Sequence, residues 1–246
     1  MDFARVWNEA LPLLLQGVLT TILISILSII FGMVLGFVSC MMGLSKNFVL
    51  KWLSRIYVWL IRGTPMLVQA FIVYLSLPQV VQLFVPSFRI DSFTAGLVTL
   101  SLNAGAYLSE IFRGGIKAVD KGQIEAARSL GLSSARTMMK ITLPQALRVA
   151  IPAMVNQFII TIKDTSIISV IGLAELVNRA RTYVGSTYQF FATWVLVAAF
   201  YLVVISALMW VSQRFERSMT YDAEDGSGPG PGAKAAVLAG EYIRGE

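Results

Sequence analysis

The chain has 246 residues, 56% of them apolar and only 14% charged, with a formal net charge of +6 and a mean hydropathy of +0.71. That balance excludes an ordinary soluble domain and suits lipid as the solvent. Histidine is absent and Cys40 is the single cysteine, which excludes disulfides, Cys/His metal sites and histidine acid–base catalysis.

A bilayer core about 30 Å thick takes roughly 20 mainly apolar helical residues. Ala10 to Ser45 carries no formal charge and predicts the first span. It is not a signal peptide, because Asp2 and Glu9 spoil a basic leader and the apolar run is too long. Gly32 and Gly36 form a small-xxx-small face, suited to close helix packing within the chain or against a second copy. Residues 49–61 interleave Trp52, Tyr57 and Trp59 with Lys51 and Arg55, the pattern of a helix at headgroup level. Arg62-Gly63-Thr64-Pro65 predicts a break, after which the charge-free stretch Gly63 to Phe88 predicts span two.

Ser92 to Ser109 predicts span three and Thr182 to Gln213 the last span, both without formal charge. Between them Val149 to Ala174 predicts span four, interrupted by Lys163 and Asp164. The expected fold is therefore an all-α membrane protein with five transmembrane helices. Lys46, Lys51 and Arg55, seven Lys/Arg from Arg113 to Arg148, and Arg214 and Arg217 all fall on one side; Arg5, Arg89, Arg179 and Arg181 fall on the other. By the positive-inside rule the N-terminus is outside and the C-terminus cytoplasmic. The basic excess follows the spans and forms no nucleic-acid face. Residues 1–221 make the membrane domain; 222–246, with Gly226-Ser-Gly-Pro-Gly-Pro-Gly232, read as a disordered tail.

The segment of about 113–150 between spans three and four is too long for a passive connector. Gln123 to Leu130 predicts a short helix, Gly131 its left-handed stop, and Ser133 the cap of a second helix ending near Pro144. The product is a cytoplasmic helix–turn–helix against the membrane.

Glu125-Ala126-Ala127, Gly131 and Ile141-Thr142-Leu143-Pro144 stand at the spacing of the EAA loop, and here the chain resembles the permeases of ABC importers. Arg62 to Pro65, Ser101-Leu102-Asn103 through Glu110, and Lys163-Asp164-Thr165-Ser166 resemble the polar amino-acid branch; the likeness covers roughly residues 11–217. The resemblance implies that Glu125, Ala126, Ala127, Gly131, Ile141, Leu143 and Pro144 couple the chain to an ATPase, by helix-in-groove docking. It also implies two ATP-binding cassette subunits, a second permease of the same or a different chain, a periplasmic solute-binding protein, and a bacterial inner (cytoplasmic) membrane location. No P-loop sequence occurs, so ATP and magnesium belong to the partner ATPase and this chain carries no cofactor of its own.

Ionisable groups at membrane depth cost on the order of 3 kcal/mol and normally face a cavity or a partner. Lys163 and Asp164 suit the two ends of an amino-acid zwitterion, or else they neutralise one another or the lysine snorkels toward water. They diverge by about 100°, so they share one ligand only where the helix unwinds. Asn103 and Glu110, two turns apart, define a polar stripe of span three; Gln69 and Thr165 complete the expected wall. Interhelical hydrogen bonding remains open for Asn103 and Gln69, and pairing with a loop arginine for Glu110. The chain is expected to move an amino acid and to catalyse no covalent chemistry. A permease for another small polar solute, and an autonomous channel or carrier, are the alternatives.

Overall fold

Every regular element among the described residues, 3–224 of the computed structural model, is helical. Charge-free Leu/Ile/Val-rich sequence leaves backbone polar groups no water to bond, and a helix satisfies them within one segment. Helix α1 is Phe3–Leu44, α2 Phe48–Gly63, and α3 Met66–Gln82 with a π-helical stretch at Ile72–Ser76. Helix α4 is Ser92–Ala118, α5 Lys121–Ser129, α6 Ser134–Ile171, α7 Leu176–Thr187 and α8 Phe190–Glu224. The chain forms two compact units, one of residues up to 110 with 156–206, the other of residues 111–155 with those from 207.

In the first unit α1 packs against α7 through Val6, Ala10, Leu14, Leu176, Ala180 and Tyr183. A second apolar cluster joins Ile24, Ala70, Ala95, Leu100 and Ile168. Gly32 and Gly36 both face α4 of the same chain: a methyl group on Gly36 would lie 2.8 Å from Leu108 Cβ, and one on Gly32 2.9 Å from Ala104 Cβ. The small-residue face is therefore spent on intramolecular packing. Beside it three buried hydroxyls tie α1, α2 and α4 together. Ser54 Oγ donates to the Ser39 carbonyl at 2.7 Å, and Ser109 Oγ to Ser39 Oγ at 3.2 Å. Asp91 caps α4 by accepting from the Phe93 and Thr94 amides, and its bonds from Thr94 hold its carboxyl below the usual carboxylate range.

In the second unit Asp120 caps α5, accepting from the Gln123 amide at 3.3 Å. Gly131 ends that turn at φ +83, with the Leu132 amide bonded to the Ala127 carbonyl and the Gly131 amide to the Arg128 carbonyl. This is a Schellman ending, which glycine enters without a Cβ penalty. Ser133 then caps α6.

Several expected boundaries move. The first short helix is Lys121–Ser129, starting two residues before Gln123. The second does not end near Pro144 but continues into span four, because the ladder shifts register at Met138–Thr142 just before the proline. Leu143 already bonds to Met138, five residues back, so the amide that Pro144 lacks falls where the α pattern is already broken. Helix α6 runs unbroken through Lys163 and Asp164, which interrupt its apolar run but not its backbone. The stretch from Thr182 is two elements: α7 stops at Tyr188, φ 57, and the last span begins at Phe190. That span continues helical to Glu224, past position 222; the rest of the expected tail lies outside the described residues.

Among the described residues three helical stretches are long and apolar enough to cross a membrane, Arg5–Leu44, Ser134–Ile171 and Phe190–Arg214. Helices α2 and α3 make a fourth if their pair, bent by 107° around Gly63 to Pro65, counts as one span. Five are not reached on these criteria. Helix α4 has the length, at 27 residues, but Thr99, Ser101, Asn103 and Ser109 make it more polar than the other spans, and all four are buried.

Candidate substrate and coupling sites

All six candidate substrate residues lie in the first unit. On α6, Lys163 is exposed, Asp164 half-buried and Thr165 fully buried, as three consecutive residues of an unbroken helix must diverge. No ion pair within 4.0 Å joins Lys163 to Asp164, so mutual neutralisation by contact is absent from this structure. Thr165 Oγ1 donates to the Ile162 carbonyl at 2.7 Å and Ser166 Oγ to the Lys163 carbonyl at 2.6 Å. Such back-bonding satisfies hydroxyls within their own helix and tends to bend it. Regular α-helix ends at Ile168, followed by a 3₁₀ turn and Gly172 at φ +85. The unwound backbone thus sits one to two turns beyond the Lys-Asp pair.

Asn103, 8% exposed, and half-buried Glu110 share one stripe of α4, two turns apart. Gln69 is tied to the break between α2 and α3. Its Nε2 donates to the Ile61 carbonyl at 2.7 Å, the Thr64 carbonyl at 3.0 Å and Thr64 Oγ1 at 2.9 Å. Its buried Oε1 accepts from no group among the described residues. Any contact that Gln69 makes with a solute therefore falls to that acceptor oxygen alone.

The seven candidate coupling residues lie in the second unit. Of Glu125-Ala126-Ala127, only Ala127 is buried; Glu125 and Ala126 face outward. Leu130, next to exposed Gly131, and Met139 on the following helix are apolar side chains that are 82% and 64% exposed. Gln145 Nε2 donates to Gln123 Oε1 at 2.6 Å and to the Ile141 carbonyl at 3.1 Å, holding α5 against α6. Ile141 and Leu143 are half-buried and Pro144 is exposed. The exposed apolar and small residues form a surface that a groove-bearing partner can cover.

The sequence reading passes over Glu175, which is fully buried. Its Oε1 caps α7 by accepting from the Asn178 amide at 2.7 Å, and its Oε2 accepts from Tyr201 Oη at 3.4 Å. Thr21 Oγ1 of α1 accepts from the Leu176 amide, and Asn178 Nδ2 donates to the Ser169 carbonyl. One carboxylate therefore fixes α7 against α8 directly beside the αL turn at Gly172. Its signal in the sequence is an acid standing three residues before Asn178 in a charge-poor stretch, the pattern of a helix cap.

Comparison with known proteins places this geometry. The family model described as "Binding-protein-dependent transport system inner membrane component" matches residues 32–221. The glutamine transport system permease protein GlnP of Escherichia coli (strain K12) is 37% identical over 218 residues, covering 89% of this chain and 97% of that protein. The arginine transport system permease protein ArtQ of Bacillus subtilis (strain 168) is 37% identical over 219 residues, with the same coverage. The crystal structure of an amino acid ABC transporter with histidines superposes with a TM-score of 0.82 at 36% identity, over 89% of this chain and 99% of that one. The MetNI methionine ABC transporter shares the fold at a TM-score of 0.71 and 19% identity. The helical architecture and the match over most of the chain agree: this protein belongs to the family of binding-protein-dependent transport system inner membrane components, the permease subunits of ABC importers.

Proposed function

We propose that this chain is the membrane permease subunit of an ATP-driven importer and that its cargo is a polar amino acid delivered by a solute-binding protein. The observation that carries the cargo class is identity of 37% along nearly the whole chain to permeases for glutamine and for arginine. Lys163 and Asp164, half-buried or exposed without a mutual ion pair, supply the opposite charges that a zwitterion needs.

In this reading α4 is the fifth span. Its polar residues are turned inward, so its low apolarity does not expose them to lipid. The N-terminus lies outside, the C-terminus and the 113–150 segment lie in the cytoplasm, and residues 1–221 form the membrane domain in a bacterial inner membrane. Helix α5, the Gly131 turn and the start of α6 form the coupling element. Glu125, Ala126, Ala127, Gly131, Ile141, Leu143 and Pro144 present or shape it for the groove of an ATP-binding cassette subunit. Two such subunits hold ATP and magnesium, and a second permease completes the pathway. Lys163 meets the substrate carboxylate, Asp164 its ammonium, and Asn103, Glu110, Thr165 and Gln69 bound the polar wall.

The test is reconstitution of the chain with its ATPase and binding protein in proteoliposomes, followed by uptake of labelled glutamine and arginine with and without internal ATP. ATP-dependent uptake of either is the expected result. Uptake that persists without the ATPase subunit would make the chain an autonomous carrier, and ATP-dependent uptake of a different solute alone would overturn the amino-acid assignment.

A further inference from the structure

Helix α2 carries three distinct stripes. At about 100° per residue, Ser54, Tyr57 and Ile61 share one side. Ser54 and Ile61 are buried there, and Tyr57 Oη donates to the Leu102 carbonyl at 2.7 Å. Roughly opposite, Trp52 and Trp59 fall within about 20° of one another and are 53% and 75% exposed. Beside the tryptophans, Lys51, Arg55 and Arg62 fall within about 40° of one another, all exposed. No acidic residue occurs between positions 10 and 90. Among the described residues no carboxylate lies within 4.0 Å of these three cations. Arg62 lies over the Tyr107 ring, 5.1 Å from its centroid, while the head groups of Lys51 and Arg55 make no hydrogen bond or ion pair among the described residues.

The orientation of α2 follows from its partners. From Ser54 to Arg62 the helix advances roughly 12 Å, yet its meeting points on α4 do not advance with it: Ser54 meets Ser109 through Ser39, Tyr57 meets Leu102, and Arg62 returns to Tyr107, about 3 Å along α4 from Ser109. Helix α2 therefore crosses α4 steeply instead of running along it, and the next helix leaves at 107°. A helix lying across the spans near the end of α1, with exposed tryptophans beside unpaired cations, has the form of an interfacial element.

We infer that α2 lies in the cytoplasmic headgroup layer and that its Lys51–Arg55–Arg62 stripe binds the phosphates of anionic phospholipids, with Trp52 and Trp59 seated at the headgroup boundary. Tryptophan rings partition to that boundary, and cations near an anionic leaflet are attracted to it. The assignment to the cytoplasmic leaflet rests on the proposed orientation with the N-terminus outside. The binding itself does not depend on transport.

The test uses the full chain in lipid nanodiscs, with Trp7, Trp194 and Trp210 replaced by phenylalanine so that Trp52 and Trp59 alone report. Quenching by brominated phosphatidylglycerol is compared with quenching by brominated phosphatidylcholine at equal mole fraction. A preference for phosphatidylglycerol is expected, up to about fivefold per engaged cation. The preference should be lost in Lys51→Gln/Arg55→Gln and kept in Lys51→Arg/Arg55→Lys. Equal quenching by both lipids, quenching by neither, an unchanged preference in the glutamine variant, or its loss in both variants would each overturn the inference. Because nothing in this readout requires uptake, failure of the importer assignment would leave the lipid preference standing.

Discussion

The side-chain amide of Gln69 donates at 2.7 Å to the carbonyl of Ile61, eight residues earlier and on the far side of the break between α2 and α3. Pro65 removes an amide there and Gly63 relaxes the backbone, so the ladder is interrupted and carbonyls are left over. Gln69 replaces the missing donor and fixes the 107° turn. Gln69→Leu should lower the thermal stability of the assembled complex by an amount equivalent to about 1–3 kcal/mol, since it strands buried acceptors. Gln69→Glu should cost more, because it aims a carboxylate at oxygens. Thermal unfolding of the purified complex gives the ranking. Equal melting of Gln69→Leu and the parent chain would remove the bracing role.

At Gly131 the backbone stands at φ +83 with open space around the missing Cβ. Strain and not a clash is therefore the effect of substitution. Gly131→Val should cost about 1–2 kcal/mol locally and re-aim α5 relative to the start of α6, separating ATP hydrolysis from uptake. Gly131→Asn, which tolerates the left-handed region better, should retain most coupling. Paired measurements of substrate-stimulated ATPase and uptake decide it; wild-type ratios in the valine variant would contradict the coupling role.

Lys163 has no ion pair with Asp164. Lys163→Met should therefore leave the amount of assembled complex unchanged while abolishing uptake, and Asp164→Asn should do the same. If both charges are structural, membrane abundance falls instead. Immunoblotting of membranes alongside uptake separates the two results, with binding-protein affinity for the variant complex measured in parallel.

Glu175 is buried, and its two oxygens serve the α7 amide end and Tyr201. Glu175→Ala removes a cap and a tertiary hydrogen bond and should destabilise the subunit by about 1–3 kcal/mol. Glu175→Gln keeps one acceptor oxygen and should fall between alanine and the parent in thermal unfolding of the complex. Identical melting of all three chains would show that the cap contributes nothing.

Topology is open to direct chemical test because native Cys40 is buried and Arg136 is exposed. A cysteine at position 136 should react with an impermeant thiol reagent only in inverted membrane vesicles. Labelling from outside intact cells would reverse the orientation.

The sequence pattern alone established that the chain crosses a membrane, that it is helical, and that the 113–150 segment contains a turn at Gly131, because these depend on local rules: apolar length, backbone satisfaction and the left-handed preference of glycine. The polar groups were legible as types but not in their roles. Gln69 and Thr165 read as wall residues, yet the structure commits the Gln69 amide to Ile61 and Thr64 and the Thr165 hydroxyl to its own helix. Whether a donor in a lipid-facing sequence finds its acceptor nearby or in a ligand depends on where the chain folds back, which no local window contains. The continuity of α6 past Pro144 was hidden for a similar reason. Pro144 lacks an amide that a regular α ladder would use, and the π-helical stretch at Met138–Thr142 that accommodates it is a choice of the folded backbone. Glu175 stayed unremarked because its burial comes from α1, α7 and α8 converging on it, and convergence of segments distant in sequence is what tertiary structure alone decides.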